Sequence, residues 1–261
     1  MRLIPLFSGS SGNCILIEAD GVRLLVDAGL PGRTIEGALS AAGVLPETLT
    51  GILVTHEHTD HTRGVGVLSR KLNLPVYANA GTWAGMQADV GPIALCNMRM
   101  FETGRSFFVD KLLVQPFATP HDAREPVGYC FSAEGRCASV MTDVGYIHEG
   151  LLDAVEGSDL LLIESNHDEE MLKVGPYPYP LKRRILSDQG HLSNENCGKT
   201  LCKLYKRGVR CAILGHLSKE NNYEQLAMET VRSELRMEDI PDEEFKLTVA
   251  HRDRITGVFV L

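Results

Sequence analysis

The sequence predicts a layered α/β fold in a single domain spanning residues 1–261. Short β-like segments alternate with helical patterns along the chain, and hairpin-like strand pairs occur towards both ends. Of the 261 residues, 44% are hydrophobic and 23% are charged, which is ordinary for a globular domain. No internal repeat or long linker divides the chain, so we expect one unit rather than two.

In the N-terminal part, we predict helices from about Gly32 to Ala42 and near Arg63–Leu72. The Ser/Gly-rich segment 8–13 has the composition of a turn. It could be a plain tight turn, or its backbone donors could bind a phosphate, because glycine-rich backbone forms anion-binding concavities. The predicted strands are Leu3–Phe7, Cys14–Glu18, Val22–Asp27, Gly51–Thr55 and a short strand around Val76.

In the C-terminal part, Ser193 is predicted to cap a helix that ends at Lys206 and Arg207, before Gly208. Asn221 or Asn222 is predicted to cap a second helix. The predicted strands are Phe107–Val109, Leu112–Phe117, Val127–Ser132, Cys137–Thr142, Leu160–Glu164 and Cys211–Leu214.

The sequence also argues against a membrane-spanning protein, a secreted protein and a disulfide framework. No apolar run approaches the ~20 residues that cross a bilayer, so we expect no membrane partner. The N-terminal segment lacks the long apolar stretch of a signal peptide. The seven cysteines are odd in number and form no CxxC pair, which favours reduced thiols. We therefore expect a cytoplasmic protein.

The net charge of −8 does not favour nonspecific nucleic-acid binding over the whole surface. The charges are unevenly distributed, however. Residues 182–210 contain eight Lys/Arg and two Asp/Glu, whereas residues 219–244 contain three Lys/Arg and nine Asp/Glu. These segments could be two solvated helix faces of opposite sign. Alternatively, the basic segment could meet an anionic substrate such as nucleic acid.

Four metal-ligand side chains occur within six residues: His56, His58, Asp60 and His61. They follow directly on the predicted strand Gly51–Thr55. In an extended segment His56 and His58 point the same way, because side chains repeat every two residues. Imidazole and carboxylate suit borderline divalent ions, so we expect zinc, with manganese or iron as alternatives.

A dinuclear site needs further ligands from distant positions, and three ligand-type residues stand at or just past the ends of predicted strands. His121 follows Leu112–Phe117, Asp143 follows Cys137–Thr142, and His216 follows Cys211–Leu214. The ends of strands are where α/β sheets place their sites. In contrast, we predict that His148 and His167 are surface residues and that His251 is structural or exposed.

The pattern His56-x-His58-x-Asp60-His61, followed by His121, Asp143 and His216, resembles the metallo-β-lactamase superfamily. The resemblance implies an αββα four-layer sandwich, with two mixed sheets flanked by helices and a dinuclear metal site at one edge. It also implies the ligand assignment. One ion is held by His56, His58 and His121, the other by Asp60, His61 and His216, and Asp143 bridges them.

Further segments are similar to the YycJ/WalJ (VicX) group, which is related to ribonuclease Z. They are FSGSSGNC from Phe7, IESNHD from Ile163, GHLSNE from Gly190 and GHLSKENN from Gly215. By the ribonuclease Z pattern, His191 is a proton donor supported by Glu164, and the candidate catalytic residues are Asp60, His191 and Glu164. Glu164 could instead orient a metal ligand, and His191 could be a helix-start residue satisfied by the backbone.

Two divalent ions, two aspartates and neutral histidines give a site near +2, which favours an anionic substrate. A metal-bound hydroxide is then available at neutral pH. We therefore expect a metal-dependent phosphodiesterase or nuclease acting on nucleic acid, with 5′–3′ exonuclease activity as one form. The alternatives are a small-molecule hydrolase and a regulatory metal-binding protein with little turnover. The hydrolase would be a cyclic or small phosphodiesterase, or a thioesterase like glyoxalase II.

Overall fold

The protein is an αββα sandwich in a computed structural model that describes residues 1–261. Two seven-stranded sheets pack face to face, and helices cover the outer side of each. The fold class predicted from the sequence is therefore confirmed. None of the helices is long and apolar enough to cross a membrane.

The first sheet is built from the N-terminal half of the chain and is completed by the last strand. Its order is β14-β1-β2-β3-β4-β5-β6, and β3 to β6 run parallel. Its strands are β1 (Arg2–Phe7), β2 (Cys14–Ala19), β3 (Val22–Val26), β4 (Gly51–Leu53), β5 (Val76–Ala78), β6 (Met98–Met100) and β14 (Phe259–Val260).

The second sheet has the order β13-β12-β11-β10-β9-β8-β7, and β10 to β13 run parallel. Because β8 and β10 are both antiparallel to β9, β8 shares their direction. Its strands are β7 (Phe107–Val109), β8 (Leu112–Ala118), β9 (Val127–Ala133), β10 (Arg136–Met141), β11 (Leu160–Glu164), β12 (Cys211–Gly215) and β13 (Lys246–Val249).

Nine α-helices connect the strands. The predicted helix at 63–72 begins at Val65, after a separate turn at Thr59–Thr62, and the Ser193 hydroxyl accepts from the amide of Asn196 as an N-cap should. The helices are α1 (Gly32–Ala41), α2 (Thr59–Thr62), α3 (Val65–Leu72), α4 (Ala80–Val90), α5 (Glu149–Val155), α6 (Glu169–Val174), α7 (Tyr179–Ile185), α8 (Asn194–Lys206) and α9 (Glu224–Met237).

The four layers bury three separate apolar cores. One core lies between the sheets and includes Leu24, Tyr129 and Leu162. A second lies between the first sheet and its helices, and a third lies between the second sheet and α5, α8 and α9. The parallel strands are buried on both faces, which explains their continuous apolar runs.

Two expectations about the C-terminal helices need correction or refinement. The N-cap of α9 is Tyr223, not Asn221 or Asn222, because the Asn222 side chain is engaged with Asn194 and with backbone oxygens instead. The basic segment 182–210 is divided, and only its first part lies near His191. Helix α8 starts just after His191 but ends near Arg207, at the opposite edge of the sandwich from His216.

The basic α8 and acidic α9 pack against each other, and one ion pair joins their C-terminal ends. Lys206 Nζ lies 2.8 Å from Glu238 Oε2, and Arg207 contacts three acidic side chains on or next to α5. These contacts favour the interpretation of two solvated helix faces of opposite sign for this part of the basic segment.

Close backbone packing at Gly29 predicts a strong effect of a methyl group there. A Cβ at Gly29 would lie 1.6 Å from the carbonyl oxygen of Asp60, so the chain carrying the metal-ligand candidates would have to move. We expect Gly29→Ala to lower the free energy of unfolding by about 3 kcal/mol or more, measured by urea denaturation.

The matched control for this prediction is Gly37→Ala in α1. No atom lies within 4 Å of a Cβ added there. Alanine should instead stabilise the helix by about 0.5–1 kcal/mol. Equal stability of the two variants would contradict the packing argument.

Candidate metal centre

The candidate metal centre lies at the edge of the sandwich where β4, β8, β10, β11 and β12 end. All seven ligand-type residues singled out in the sequence meet there, from both sheets. Their potential ligand atoms form overlapping groups, and within each group the atoms lie within 4.8 Å of one another. The seven residues are His56, His58, Asp60, His61, His121, Asp143 and His216.

The first group consists of His56, His58 and His121. His56 Nε2 lies 3.0 Å from His58 Nδ1, and the ring of His121 stands 5.0 Å from that of His56 and 5.2 Å from that of His58. His121 Nδ1 lies 3.0 Å from the carbonyl oxygen of Gly190. That contact fixes the ring and leaves Nε2 facing the centre.

The second group consists of Asp60, His61 and His216. Asp60 Oδ2 lies 3.5 Å from His61 Nε2 and 3.6 Å from His216 Nε2. Asp143 stands between the two groups, since its Oδ2 is 3.3 Å from His61 Nε2 and its Oδ1 is 3.7 Å from His121 Nε2. The Asp143 carboxylate is therefore within reach of both groups.

A carboxylate that the sequence analysis overlooked holds this second group in place. Asp27, just past β3, accepts from the amide and hydroxyl of Thr55 and lies 2.7 Å from His61 Nδ1. A carboxylate behind a ligand-type histidine fixes the ring and raises its basicity. Its only signal in the sequence is its place at the end of a predicted strand.

Buried polar atoms without partners show that the cluster fits divalent ions. His121 Nε2, His216 Nε2 and Asp143 Oδ2 are inaccessible and have no hydrogen-bond partner. Leaving such atoms unpaired is costly, so native proteins normally satisfy them. Neutral imidazole nitrogens and carboxylate oxygens converging on one space form a donor set typical of borderline divalent cations.

Burial and neighbouring charges have opposite effects on the pKa values of the cluster. Burial would raise the pKa of Asp143, but the surrounding imidazoles, with His216 and His61 foremost, hold that pKa well below its usual range. Burial would lower the pKa of His61, but Asp143, Asp27 and Asp60 raise it. The charges of the cluster therefore favour an ionised Asp143 carboxylate beside a His61 imidazole that binds its proton more tightly than usual.

Glu164, at the end of β11, links His191 to the cluster. Its Oε1 lies 2.8 Å from His191 Nδ1 and 2.8 Å from His216 Nδ1, and its Oε2 accepts from the amides of Val144 and Leu192. Burial would raise its pKa, but the two imidazoles and their hydrogen bonds lower it to about 2. The two roles considered for Glu164 are thus compatible, because one oxygen contacts both rings.

His191 is more exposed than the two ligand-type histidines next to it, His121 and His216. Its side chain is 18% exposed, against 1% for His121 and His216, although its ring lies 5.0 Å and 5.3 Å from theirs. Its Nδ1 contacts Glu164 rather than the backbone. The Nε2 edge is therefore free to face a ligand at the open side of the centre.

The Ser/Gly-rich turn at residues 8–13 braces the ligand loop. The Asn13 backbone amide donates to Asp60 O over 2.8 Å, and the Asn13 side-chain Nδ2 lies 3.2 Å from His61 Nε2.

Strained backbone occurs at the candidate metal centre, since Asp27, Asp143 and His216 all have left-handed φ angles of 55–61°. Non-glycine residues adopt this conformation mainly where function or packing requires it.

His167 is not a surface residue, contrary to the sequence prediction. It is 1% exposed, and neither ring nitrogen has a hydrogen-bond partner. Burial, which disfavours the charged imidazolium, lowers its pKa to about 4. The prediction failed because the backbone of His167 pairs with Ser193, a contact between segments distant in sequence. His148 is exposed as predicted, and His251 is half-buried.

Comparison with known proteins agrees with the fold. The family model described as a beta-lactamase superfamily domain matches residues 22–217. The chain therefore belongs to the beta-lactamase superfamily. In structure it resembles the short form of human tRNase Z with a TM-score of 0.66 and 17% identity, covering 100% of this chain and 99% of that one.

Two relatives place the chain more finely. Exodeoxyribonuclease YycJ of Bacillus anthracis is 41% identical over 87% of this chain and 86% of its own length. Exodeoxyribonuclease WalJ of Streptococcus pneumoniae is 41% identical over 90% of this chain and 88% of its own length. Within the superfamily, the chain belongs to the YycJ/WalJ group.

The position of Asp143 predicts its effect on metal content. We expect the purified protein to hold close to two divalent ions per chain, and Asp143→Asn to lose most of the second, because the variant removes the shared charge but keeps the shape. Mass spectrometry of the metals in dialysed protein measures this. Asp110→Asn, in the exposed hairpin at the far end of β8, is the control. Wild-type metal content in Asp143→Asn would remove Asp143 from the site.

Proposed function

We propose that the protein is a metal-dependent exodeoxyribonuclease that hydrolyses phosphodiester bonds of DNA, with two zinc ions as its cofactors. The observation that carries the proposal is the Glu164–His191 pair, which stands at the open side of the ligand cluster. The names of the two relatives in the YycJ/WalJ group support DNA as the substrate. We place the protein in the cytoplasm, where its seven free cysteines would stay reduced.

In this proposal, His56, His58 and His121 would hold one ion, and Asp60, His61 and His216 would hold the other, with the Asp143 carboxylate lying between the two sets. Bound divalent ions would supply a nucleophile from water near neutral pH and neutralise charge on the phosphate. Asp60 is the most exposed of the three carboxylates, at 27%, and so faces the substrate side.

The protein's own residues would handle the proton of the leaving group. An alkoxide leaves slowly from a phosphodiester unless it is protonated. Glu164 fixes the His191 ring through Nδ1, which directs the Nε2 proton towards the open side. A thioester needs no such donor for its thiolate, so this pair favours phosphoryl chemistry.

Salt dependence and substrate choice test the proposal. The protein loaded with zinc should degrade end-labelled single-stranded DNA and should not hydrolyse a glutathione thioester. Activity on long strands should fall steeply with salt, because DNA contacts release counterions, whereas turnover of bis(p-nitrophenyl) phosphate should change little. Equal salt dependence for both substrates would indicate a small-molecule substrate. Bound metal without turnover of any of them would indicate a regulatory protein.

Removal of His191 should separate proton donation from metal binding. A general acid contributes roughly 10²–10⁴-fold to rate, so we expect His191→Ala to lose that factor on DNA. The loss should be much smaller with bis(p-nitrophenyl) phosphate, because p-nitrophenolate leaves without a proton. Metal content should remain at the wild-type level.

The companion variant for this test is His216→Ala, which should lose metal and both activities together. If His191→Ala loses metal while His216→Ala keeps it, the two roles have been assigned the wrong way round.

A further inference from the structure

Arg184 stands beside the metal centre although it lies far from the ligands in sequence. It belongs to the last turn of α7. Its Nε and Nη2 both contact the carboxylate of Asp122, with Nη2 2.9 Å from Oδ1. Asp122 directly follows His121, and its Oδ1 lies 3.4 Å from His121 Nε2. One carboxylate therefore separates the guanidinium from the atom that faces the centre.

The end of α7 is fixed against the site by backbone contacts. The His191 amide donates to Ile185 O over 3.0 Å, and the Asp122 amide donates to Gln189 O over 3.1 Å. A Cβ at Gly190 would lie 2.1 Å from Ile185 O, so this approach needs glycine. The backbone at the end of α7 is thus held against the segments that carry His121 and the proposed proton donor His191.

The contact with Asp122 uses one side of the guanidinium and leaves the other side free. A guanidinium has five N–H donors in a planar fork. Two of them point at Asp122, so three remain, and the Arg184 side chain is 48% exposed. A fixed fork of this kind matches the non-bridging oxygens of a phosphate.

Four other cations of the basic segment are paired elsewhere or lie away from the site. Lys182 Nζ donates to the carbonyl oxygen of Lys173, and Lys206 is paired with Glu238. Arg207 and Arg210 lie at the opposite edge of the sandwich. Arg184 is the member of the segment whose partner directly adjoins a ligand-type residue.

We propose that Arg184 binds a backbone phosphate of the DNA strand next to the bond that is cleaved, and that Asp122 is the positioning residue that orients its guanidinium. This inference rests on the proposed nuclease function. It assigns Arg184 to substrate binding and leaves proton donation to His191.

The test compares DNA binding by Arg184→Ala and by a matched control, both loaded with zinc. The control is Arg136→Ala. Arg136 also forms an exposed ion pair with an aspartate, Asp159, and the two pairs have similar exposure, 53% and 33% against 48% and 29%. Arg136 stands at the start of β10, at the edge opposite Asp143. The probe is a fluorescein-labelled, phosphorothioate-linked single strand that resists hydrolysis, and the readout is fluorescence anisotropy.

We expect Arg184→Ala to raise the Kd for this strand about tenfold or more, since the variant removes charge-assisted hydrogen bonds. Arg184→Lys should recover only part of the loss, because an ammonium lacks the fork. The KM for cleavable DNA should rise in parallel, while turnover of bis(p-nitrophenyl) phosphate and metal content stay at wild-type levels. A wild-type Kd in Arg184→Ala, or an equal loss in Arg136→Ala, would overturn the inference.

A second variant tests the role of Asp122 separately. Asp122→Asn removes a negative charge near the site, which by simple electrostatics should tighten DNA binding. If Asp122 acts by orienting Arg184, binding should weaken instead, and tighter binding would refute the positioning role. Failure of the nuclease proposal has a different signature, because wild-type protein would then leave cleavable DNA intact.

Discussion

The Glu164 carboxylate holds the candidate site together. It is completely buried and contacts two imidazoles and two backbone amides. These four partners come from the loops after β10 and β12 and from the segment before α8. A buried carboxylate is tolerated only when it is fully paired, so each partner is needed to keep the others in place. The positions of His191 and His216 relative to each other follow from this one group.

Much of the site could be predicted from the sequence because its signals are local. A cluster of ligand-type residues directly after a strand, and single ones after three other strands, needs only the rule that strands end at a common edge. The N-cap at Ser193 is equally local, since a hydroxyl and the amides it caps lie within one turn. That the seven residues bind metal stays a prediction, although the geometry brings them together.

The rest depends on contacts between distant segments. Asp27 can contact His61 only because β3 and β4 are neighbours in the first sheet. The burial of His167 comes from its pairing with Ser193. Helix α4 was not predicted because its sequence is rich in glycine and alanine and lacks a regular apolar stripe. The basic segment was clear in the sequence, but the direction of α8, which carries half of it away from the site, was not.

The division of the ligand-type residues between the sheets has a consequence for folding. His56, His58, Asp60 and His61 come from the first sheet, and His121, Asp143 and His216 come from the second. Ions bound by both sets would act as a cross-link between two halves of the chain. The site can form only after the halves have docked, so it belongs to the late, long-range part of assembly. Metal affinity and the cohesion of the two halves would then be two measures of the same free energy.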